Sequence, residues 1–143
     1  MKRATKIAFL ILLFSMILFT SRLFAQVVTS DPQFPVDSDT VTVYFHAKEG
    51  TGGLAGYTGD VYAHTGVITN LSTSSSDWRY VKTQWGDNTP ATKMTRISTD
   101  EYKITIKNIR KYYGVPSSEK ILKMAFVFRS GVQVNGNYLQ GKD

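Results

Sequence analysis

Short segments rich in β-branched and aromatic residues, separated by turn-forming Gly, Pro, Asp and Ser, recur along the chain from residue 27 onwards. Such segments suit the pleated, half-buried surface of a β-strand, and their close spacing with almost no helical pattern is typical of two packed sheets. The sequence therefore predicts an all-β, immunoglobulin-like antiparallel β-sandwich of about seven strands. The predicted strands are residues 27–30, 40–47, 60–69, 78–85, 94–97, 101–106 and 120–129.

Alternation within two of these segments predicts part of the core. Because successive side chains of a strand point to opposite faces, every second residue shares one face. The predicted core-facing residues are Val41, Val43, Phe45, Tyr102, Ile104 and Ile106. Before the last strand, residues 109–113 can form one helical turn that ends at Gly114.

The first 25 residues have the organisation of a secretory signal peptide. Three basic residues precede an apolar run over residues 7–19, and Ala25 occupies the last position before a predicted cleavage site. The run is shorter than the roughly 20 residues of a membrane span, although an uncleaved anchor is an alternative. We expect a secreted, periplasmic or cell-surface protein with one mature domain over residues 26–143 and no membrane contact after cleavage.

Removal of the signal changes the charge of the protein. The full chain has a formal charge of +6, but four of its 17 Lys and Arg residues and none of its 11 acidic residues lie within residues 1–25. The mature chain therefore carries +2, which argues against a nucleic-acid partner. No cysteine is present, so the domain has no disulfide and no site for a lipoprotein anchor. We expect a monomer held together by its apolar core.

Two segments are expected to lie outside the regular strands. Residues 48–59 contain five glycines, which predicts a mobile loop, and the absence of a Gly-Lys-Ser/Thr ending argues against a phosphate-binding loop. Residues 131–143 contain no strong apolar strand and are expected to form a loop or a weak hairpin. Residues 120–129 would then have an uncovered edge, so we expect a truncated domain whose last strand is missing.

The candidate binding surface is the stretch over residues 56–85, which contains both tryptophans of the chain. Sugar rings have apolar C–H faces and hydroxyl rims, so proteins stack aromatic rings on the face and place polar groups at the rim. Each aromatic residue in this stretch also has a simpler interpretation as part of the sandwich core. The predicted carbohydrate-binding residues are Tyr62, His64, Trp78, Tyr80, Gln84 and Trp85.

Strand parity sets the expected directions of the two tryptophans. In an unbroken strand over residues 78–85, Trp78 and Trp85 point to opposite faces unless a β-bulge re-aims one of them. We therefore expect one tryptophan in the core and one at the sugar. Trp78 is the expected exposed residue, because it follows a polar loop and shares its face with Tyr80 and Gln84.

Catalytic and metal-binding chemistry have little support in the sequence. His46 and His64 lie on separate predicted strands with no His or Cys at ligand spacing, and no Ser lies in a nucleophile-elbow pattern. Most of the acidic residues lie in predicted turns and do not form an evident glycosidase pair. We expect no enzyme activity, no metal and no cofactor, with a spatial Ser-His-Asp arrangement at His64 as the catalytic alternative.

Five motifs resemble, in order and spacing, the N-terminal immunoglobulin-like module of secreted Bacteroidetes proteins, which often precedes an α-amylase-family catalytic domain. The motifs are VTVYFHA, GYTGDVYAHTGVIT, DWRYVKTQW, TRISTDEYKITI and YYGVPSSEKILKMAFVFR. The resemblance covers residues 27–143 and extends in outline to starch-binding modules of carbohydrate-binding families 25 and 26. It implies that His64, Trp78 and Trp85 hold the curved face of an α-glucan. Tyr62 and Gln84 would assist them.

The resemblance also implies that such modules continue past the C-terminal Gly-Lys-Asp into a further apolar strand and a catalytic domain. We therefore expect a non-catalytic module that binds α-glucan and keeps a linked or associated glycoside hydrolase near its substrate. The first alternative is a structural spacer with the same fold and no ligand. The second is a cell-surface adhesion module that binds protein through an exposed apolar patch.

Overall fold

The computed structural model describes residues 26–142, so the predicted signal peptide lies outside the described residues. The strands are β1 (Val28–Asp31), β2 (Val41–His46), β3 (Val61–Thr69), β4 (Thr95–Ser98), β5 (Glu101–Ile106), β6 (Ile121–Val134) and β7 (Asn137–Gly141). They form one antiparallel sheet of order β1-β2-β5-β4 and a second of order β3-β6-β7. This is the strand order of a constant-type immunoglobulin sandwich, which confirms the predicted fold class.

The core lies between the two sheets and contains the residues that alternation predicts. Along β2 every second side chain is buried, and β5 shows the same alternation. At the centre, the ring of Phe45 stacks on that of Phe128 across the sandwich, with 4.1 Å between centroids. Apolar burial of this kind supplies the main stabilising free energy of a domain that has no disulfide.

The predicted helical turn is present as α1 (Ile109–Tyr113), with an N-cap and a C-cap that its sequence explains. The side chain of Asn108 accepts a hydrogen bond from the backbone N–H of Lys111, at 3.0 Å. Gly114 ends the helix with a φ of 76°, which glycine adopts without steric penalty. The helix also anchors the core, because the Tyr113 hydroxyl lies 2.6 Å from the Thr65 hydroxyl on β3.

The expectation of a missing last strand is wrong, because residues 137–141 form β7 and pair with β6. The turn between them consists of Asn135 and Gly136, both with positive φ, as a two-residue hairpin turn requires. β7 packs tightly against the core: a Cβ on Gly141 would lie 2.3 Å from the ring of Phe45. Only a residue without a side chain fits at this position.

The glycine-rich segment over residues 48–59 forms close turns against the end of β7. The backbone N–H of Thr51 donates to the carbonyl of Lys142 at 3.0 Å, and Leu54 is completely buried. A Cβ on Gly53 would lie 2.2 Å from the carbonyl oxygen of Gln140. The glycines therefore let two backbone segments approach each other, which differs from the predicted loose loop.

The predicted strand over residues 78–85 does not form. Tyr80 has a φ of 53°, which interrupts any extended run. Arg79 alone forms a bridge with Val67 on the free edge of β3, and the Lys82 N–H donates to Thr65 at 2.9 Å. The segment is therefore a loop fastened to the edge of β3, and strand parity does not govern its side chains.

Candidate functional site

The candidate site lies on the outer face of the β3-β6-β7 sheet, away from the core. Register pairs Tyr62 with Arg129 and His64 with Val127, so these four side chains share the outer face. The loop over residues 83–91 crosses this face after leaving the edge of β3. The Asn88 side-chain amide ties the loop to β6 by donating to the Gly131 carbonyl at 2.8 Å.

A buried arginine organises this face. The side chain of Arg129 is 1% exposed, and its guanidinium lies over three aromatic rings at 4.8 to 5.9 Å from their centroids. It donates to Asn88 Oδ1 and to the Ser130 carbonyl, both at 3.0 Å, and to the Asp87 carbonyl. Burial lowers the pKa of Arg129. The three rings belong to Tyr62, Trp85 and Tyr138, and we refer to them with Arg129 as the arginine cage.

His64 lies beside the arginine cage and links the two tryptophans. Its ring stacks on that of Trp78, with centroids 6.0 Å apart and planes 26° apart, and meets Trp85 edge-on at 5.1 Å. Its Nδ1 is buried and has no hydrogen-bond partner within residues 26–142. Burial lowers the pKa of His64 and the charge of Arg129 lowers it further, so the imidazole is neutral near pH 7.

The structure reverses the expected exposure of the two tryptophans. Trp85 is 44% exposed, whereas Trp78 is half-buried. Both pack against His64 instead of facing opposite ways, because the loop around them is free of strand alternation. The ring of Trp85 also meets that of Tyr138 edge-on, at 6.0 Å and 89°. Trp85 is therefore the exposed aromatic ring of this surface, and its orientation is fixed by its neighbours.

The other three predicted site residues, Tyr62, Tyr80 and Gln84, have different surroundings. Tyr62 is buried beneath Arg129, which leaves its ring without access to a ligand. Tyr80 lies outside the cluster, where its hydroxyl donates to Glu119 at 2.5 Å. Gln84 is exposed in a turn whose N–H donates to the Asp87 carboxylate at 3.2 Å, next to Trp85 in the chain. Of the six predicted residues, the structure thus brings three (His64, Trp78 and Gln84) close to Trp85, buries Tyr62 and directs Tyr80 elsewhere.

Sequence reasoning missed Arg129 and Tyr138, which complete the cluster. An arginine at the end of an apolar strand is usually placed at the surface, and nothing in its local sequence signals burial. Tyr138 lies in the C-terminal segment that was expected to be irregular. The one available signal was Asn135-Gly136, a dipeptide typical of two-residue hairpins, which would have placed Tyr138 on a strand paired with β6, opposite Gln133.

The pKa of His64 leads to a prediction on stability. The unfolded chain binds a proton near the ordinary value of 6.5, whereas folded His64 does so only at lower pH. Stability is therefore unaffected by His64 above about pH 6.5 and falls as the pH decreases towards its folded pKa. We expect the melting temperature of the parent protein to decline between about pH 7 and pH 5 more steeply than that of His64→Gln.

The matched control is Asp31→Asn, which removes an exposed carboxylate that makes no side-chain hydrogen bond within residues 26–142. It should retain the parent slope over the same pH range. Equal slopes for the parent and His64→Gln would contradict the assignment of a neutral, desolvated imidazole.

The described part of the chain lacks groupings for metal chemistry. Within residues 26–142, no three His, Asp or Glu side chains lie close enough together to hold a metal ion. No helix of that region has the length and apolar character needed to cross a membrane.

No family model matches the chain, and no curated protein matches it.

Proposed function

We propose that the chain is a secreted, non-catalytic module that binds α-glucan or a related polysaccharide and assists a linked or associated glycoside hydrolase. The observation that carries this proposal is the exposed ring of Trp85, which His64 and Tyr138 hold edge-on from two sides. An exposed tryptophan has a large apolar area, and leaving it in water is unfavourable unless a ligand covers it.

The surroundings of Trp85 suit a sugar. A pyranose would place its C–H face on the indole, while exposed polar groups in the same turn bond to its hydroxyls. Gln84 offers an amide with donors and an acceptor, and Asp87 offers a carboxylate that accepts. Because the ring is already oriented, little side-chain entropy is lost when a ligand stacks on it.

A single exposed ring supports weak binding, which is sufficient for an accessory module. When a module is tethered to a hydrolase, the attached enzyme experiences a high effective concentration of the polymer. The predicted signal over residues 1–25 supports the same proposal, since it would deliver the module to a compartment where polysaccharides occur. The formal charge of +2 expected after its removal suits an uncharged polymer.

The structural-spacer alternative is favoured by a specific observation. Tyr62 and Tyr80, two of the six predicted site residues, make internal contacts that stabilise the domain instead of presenting their rings. A spacer would keep Trp85 as packing for Arg129, and the protein would then migrate unretarded in any polysaccharide gel.

Removal of the Trp85 ring tests the proposal. In native gels containing amylose or soluble starch, we expect the parent protein to be retarded and Trp85→Ala to migrate as it does without polysaccharide. The loss of the stacking face should weaken binding by about tenfold or more. Trp85→Phe keeps an aromatic face and should retain partial retardation.

The control is Phe34→Ala, which removes another highly exposed aromatic ring that is not among the rings packed on Trp85. It should be retarded like the parent. Parallel urea unfolding distinguishes lost binding from lost structure, because Trp85 also packs on Arg129. A parent protein that shows no retardation in amylose, starch or another glucan would support the spacer instead.

A further inference from the structure

His46 makes side-chain contacts through both of its ring nitrogens, on the outer face of the β1-β2-β5-β4 sheet. Its Nδ1 lies 2.6 Å from Oε2 of Glu101, and its Nε2 lies 3.0 Å from Oγ1 of Thr29. A hydroxyl, an imidazole and a carboxylate thus follow one another in the order that activates a serine or threonine nucleophile. His64, which was the histidine of the catalytic alternative, has no partner for its Nδ1 within residues 26–142.

The strand register explains why these three side chains meet. His46 and Glu101 are directly opposite each other in the β2–β5 pair, so their side chains share a face and lie close together. Thr29 is opposite Tyr44, which places it diagonally across the β1–β2 pair from His46, within reach of the imidazole. The backbone is fixed at the same point, because the His46 N–H donates to the Val27 carbonyl at 2.9 Å. Regular sheet structure therefore positions the three groups.

The hydrogen-bonding capacity of each group assigns the protons along this chain. An ionised carboxylate only accepts hydrogen bonds, so the Nδ1 beside Glu101 carries the imidazole proton. In the neutral ring, Nε2 then has a free lone pair and accepts the hydroxyl proton of Thr29. This is the tautomer in which histidine acts as a general base towards a hydroxyl. The side chains of His46 and Glu101 are 28% and 35% exposed, so a small molecule can approach them from solvent.

We propose that Thr29 is a covalent modification site that accepts an acyl group from an activated carboxylic ester or thioester. Oγ1 of Thr29 attacks the carbonyl carbon while its proton passes to Nε2 of His46, and Glu101 stabilises the resulting imidazolium. A new C–O bond to Thr29 forms, the bond to the leaving oxygen or sulfur breaks, and the proton passes from His46 to that leaving group. The products are O-acylated Thr29 and a free alcohol or thiol.

The open position of the acyl-acceptor site, which consists of Thr29, His46 and Glu101, determines which donors react. Water supplies the hydrogen bonds to the developing oxyanion, which stabilises it less than an enclosed oxyanion hole does. Alkyl esters and amides are therefore too stable to react, whereas a nitrophenyl ester or a thioester has a leaving group that departs readily. The step is stoichiometric, so it is compatible with the non-catalytic module proposed above.

The acyl-acceptor site is separate from the candidate sugar site. Its three residues belong to the β1-β2-β5-β4 sheet, whereas Trp85 packs on His64 at the outer face of the other sheet. Retardation in polysaccharide gels and acylation of Thr29 can therefore succeed or fail independently.

The test exposes the full chain to p-nitrophenyl acetate near neutral pH and locates the attached acetyl group by peptide mass spectrometry. We expect stable acetylation of Thr29. Thr42 and Thr105 provide an internal control on the same outer face, because their hydroxyls lie 3.2 Å from each other and are not paired with an imidazole within residues 26–142. Acetylation of these two residues should be slower than that of Thr29 by about a hundredfold or more.

Five variants separate the roles of the three residues. Thr29→Val keeps the shape of the side chain and should abolish acetylation at this position, whereas Thr29→Ser keeps a hydroxyl and should retain it. His46→Gln should slow acetylation of Thr29 by about a hundredfold or more, because the general base is lost. Glu101→Gln should slow it by about tenfold or more, and Glu101→Asp should retain more of the rate because it keeps a carboxylate. Thr42→Val is the matched control and should leave acetylation of Thr29 unchanged.

Three results would overturn the proposal. One is acetylation of Thr29 no faster than that of Thr42 and Thr105, a comparison that uses the unaltered protein and needs no variant to fold. Another is an acetyl group on His46 or on lysine side chains with none on Thr29. The third is an unchanged rate at Thr29 in a His46→Gln variant whose melting temperature equals that of the parent.

Discussion

The Arg129→Met variant is expected to unfold with a free energy about 3 kcal/mol lower than that of the parent protein. Methionine retains an apolar stem of similar length but donates no hydrogen bonds. The Asp87 and Ser130 carbonyls and Asn88 Oδ1 would each lose a donor, at positions that are part-buried for the first and last and fully buried for Ser130. Three aromatic rings would also lose the cation over their faces.

Urea unfolding and tryptophan emission together check this prediction. Because Arg129 fastens the loop that carries Trp85, the native-state emission of Arg129→Met should shift to longer wavelength as that ring becomes more exposed. Arg129→Lys keeps the charge but cannot reach all three acceptors, so we expect roughly half the loss. The matched control is Arg96→Ala, which removes a cation over Tyr102 at an exposed position and should cost less than about 1 kcal/mol.

If Arg129→Met lowers the free energy of unfolding by less than about 1 kcal/mol, water satisfies the three acceptors almost as well as the guanidinium does. The arginine cage would then be a consequence of packing and would not account for the position of Trp85.

The second large effect is expected for Gly141→Ala, at about 2–3 kcal/mol of lost stability. The added Cβ would lie 2.3 Å and 2.8 Å from two ring atoms of Phe45, far inside contact distance. The ring cannot withdraw freely, because it stacks on Phe128 on one side and approaches Tyr102 on another. Either β7 or the core must shift.

A double-mutant cycle with Phe45→Leu isolates this contact. The smaller side chain destabilises the core by itself, but adding Gly141→Ala to it should cost less than about 1 kcal/mol, because the space is free. Gly114→Ala is the comparison: its Cβ meets nothing within 4 Å, and only its φ of 76° opposes the change. Its cost of about 1 kcal/mol should be the same with and without Phe45→Leu. Additive losses for Gly141→Ala and Phe45→Leu would contradict the steric explanation.

The elements that the sequence predicts well are those governed by a single local rule. β2 and β5 have one face in the core and one in water, so alternation alone identifies Phe45 and Tyr102 as buried. The helical turn is equally local, because Asn108 and Gly114 cap it from within seven residues. The alternation of the two strands and the helical turn ending at Gly114 were predicted from residue type and spacing, without knowledge of any distant contact.

The segment around the tryptophans was predicted wrongly because distant contacts decide its path. Residues 78–85 have the composition of a strand, and no residue type there signals the positive φ of Tyr80. The Tyr80 hydroxyl bonds to Glu119, 39 residues away in the chain, and the backbone of Arg79 is bound to β3. Such contacts override the intrinsic preference for extended structure.

Only part of the candidate site was therefore predictable. Aromatic composition identified Trp85 and His64, but their arrangement depends on Arg129, whose burial requires rings from β3, β7 and the loop at once. The partner of β6 was also predicted wrongly: the edge over residues 120–129 was expected to be uncovered, whereas β7 pairs with β6 between Phe128 and Val134. Hairpin chemistry at Asn135 and Gly136 explains why that part of β6 is covered.

The two fastenings of the loop to β3 have a consequence for engineering. The Lys82 N–H bonds to Thr65 before the loop leaves the sheet, and the Ala63 N–H bonds to Thr92 where it returns, so the span between them starts and ends at fixed points. Its interior can be exchanged as a cassette, provided that the acceptors for Arg129 at Asp87 and Asn88 are kept. The same sandwich could then display a different binding surface while its core sequence stays constant.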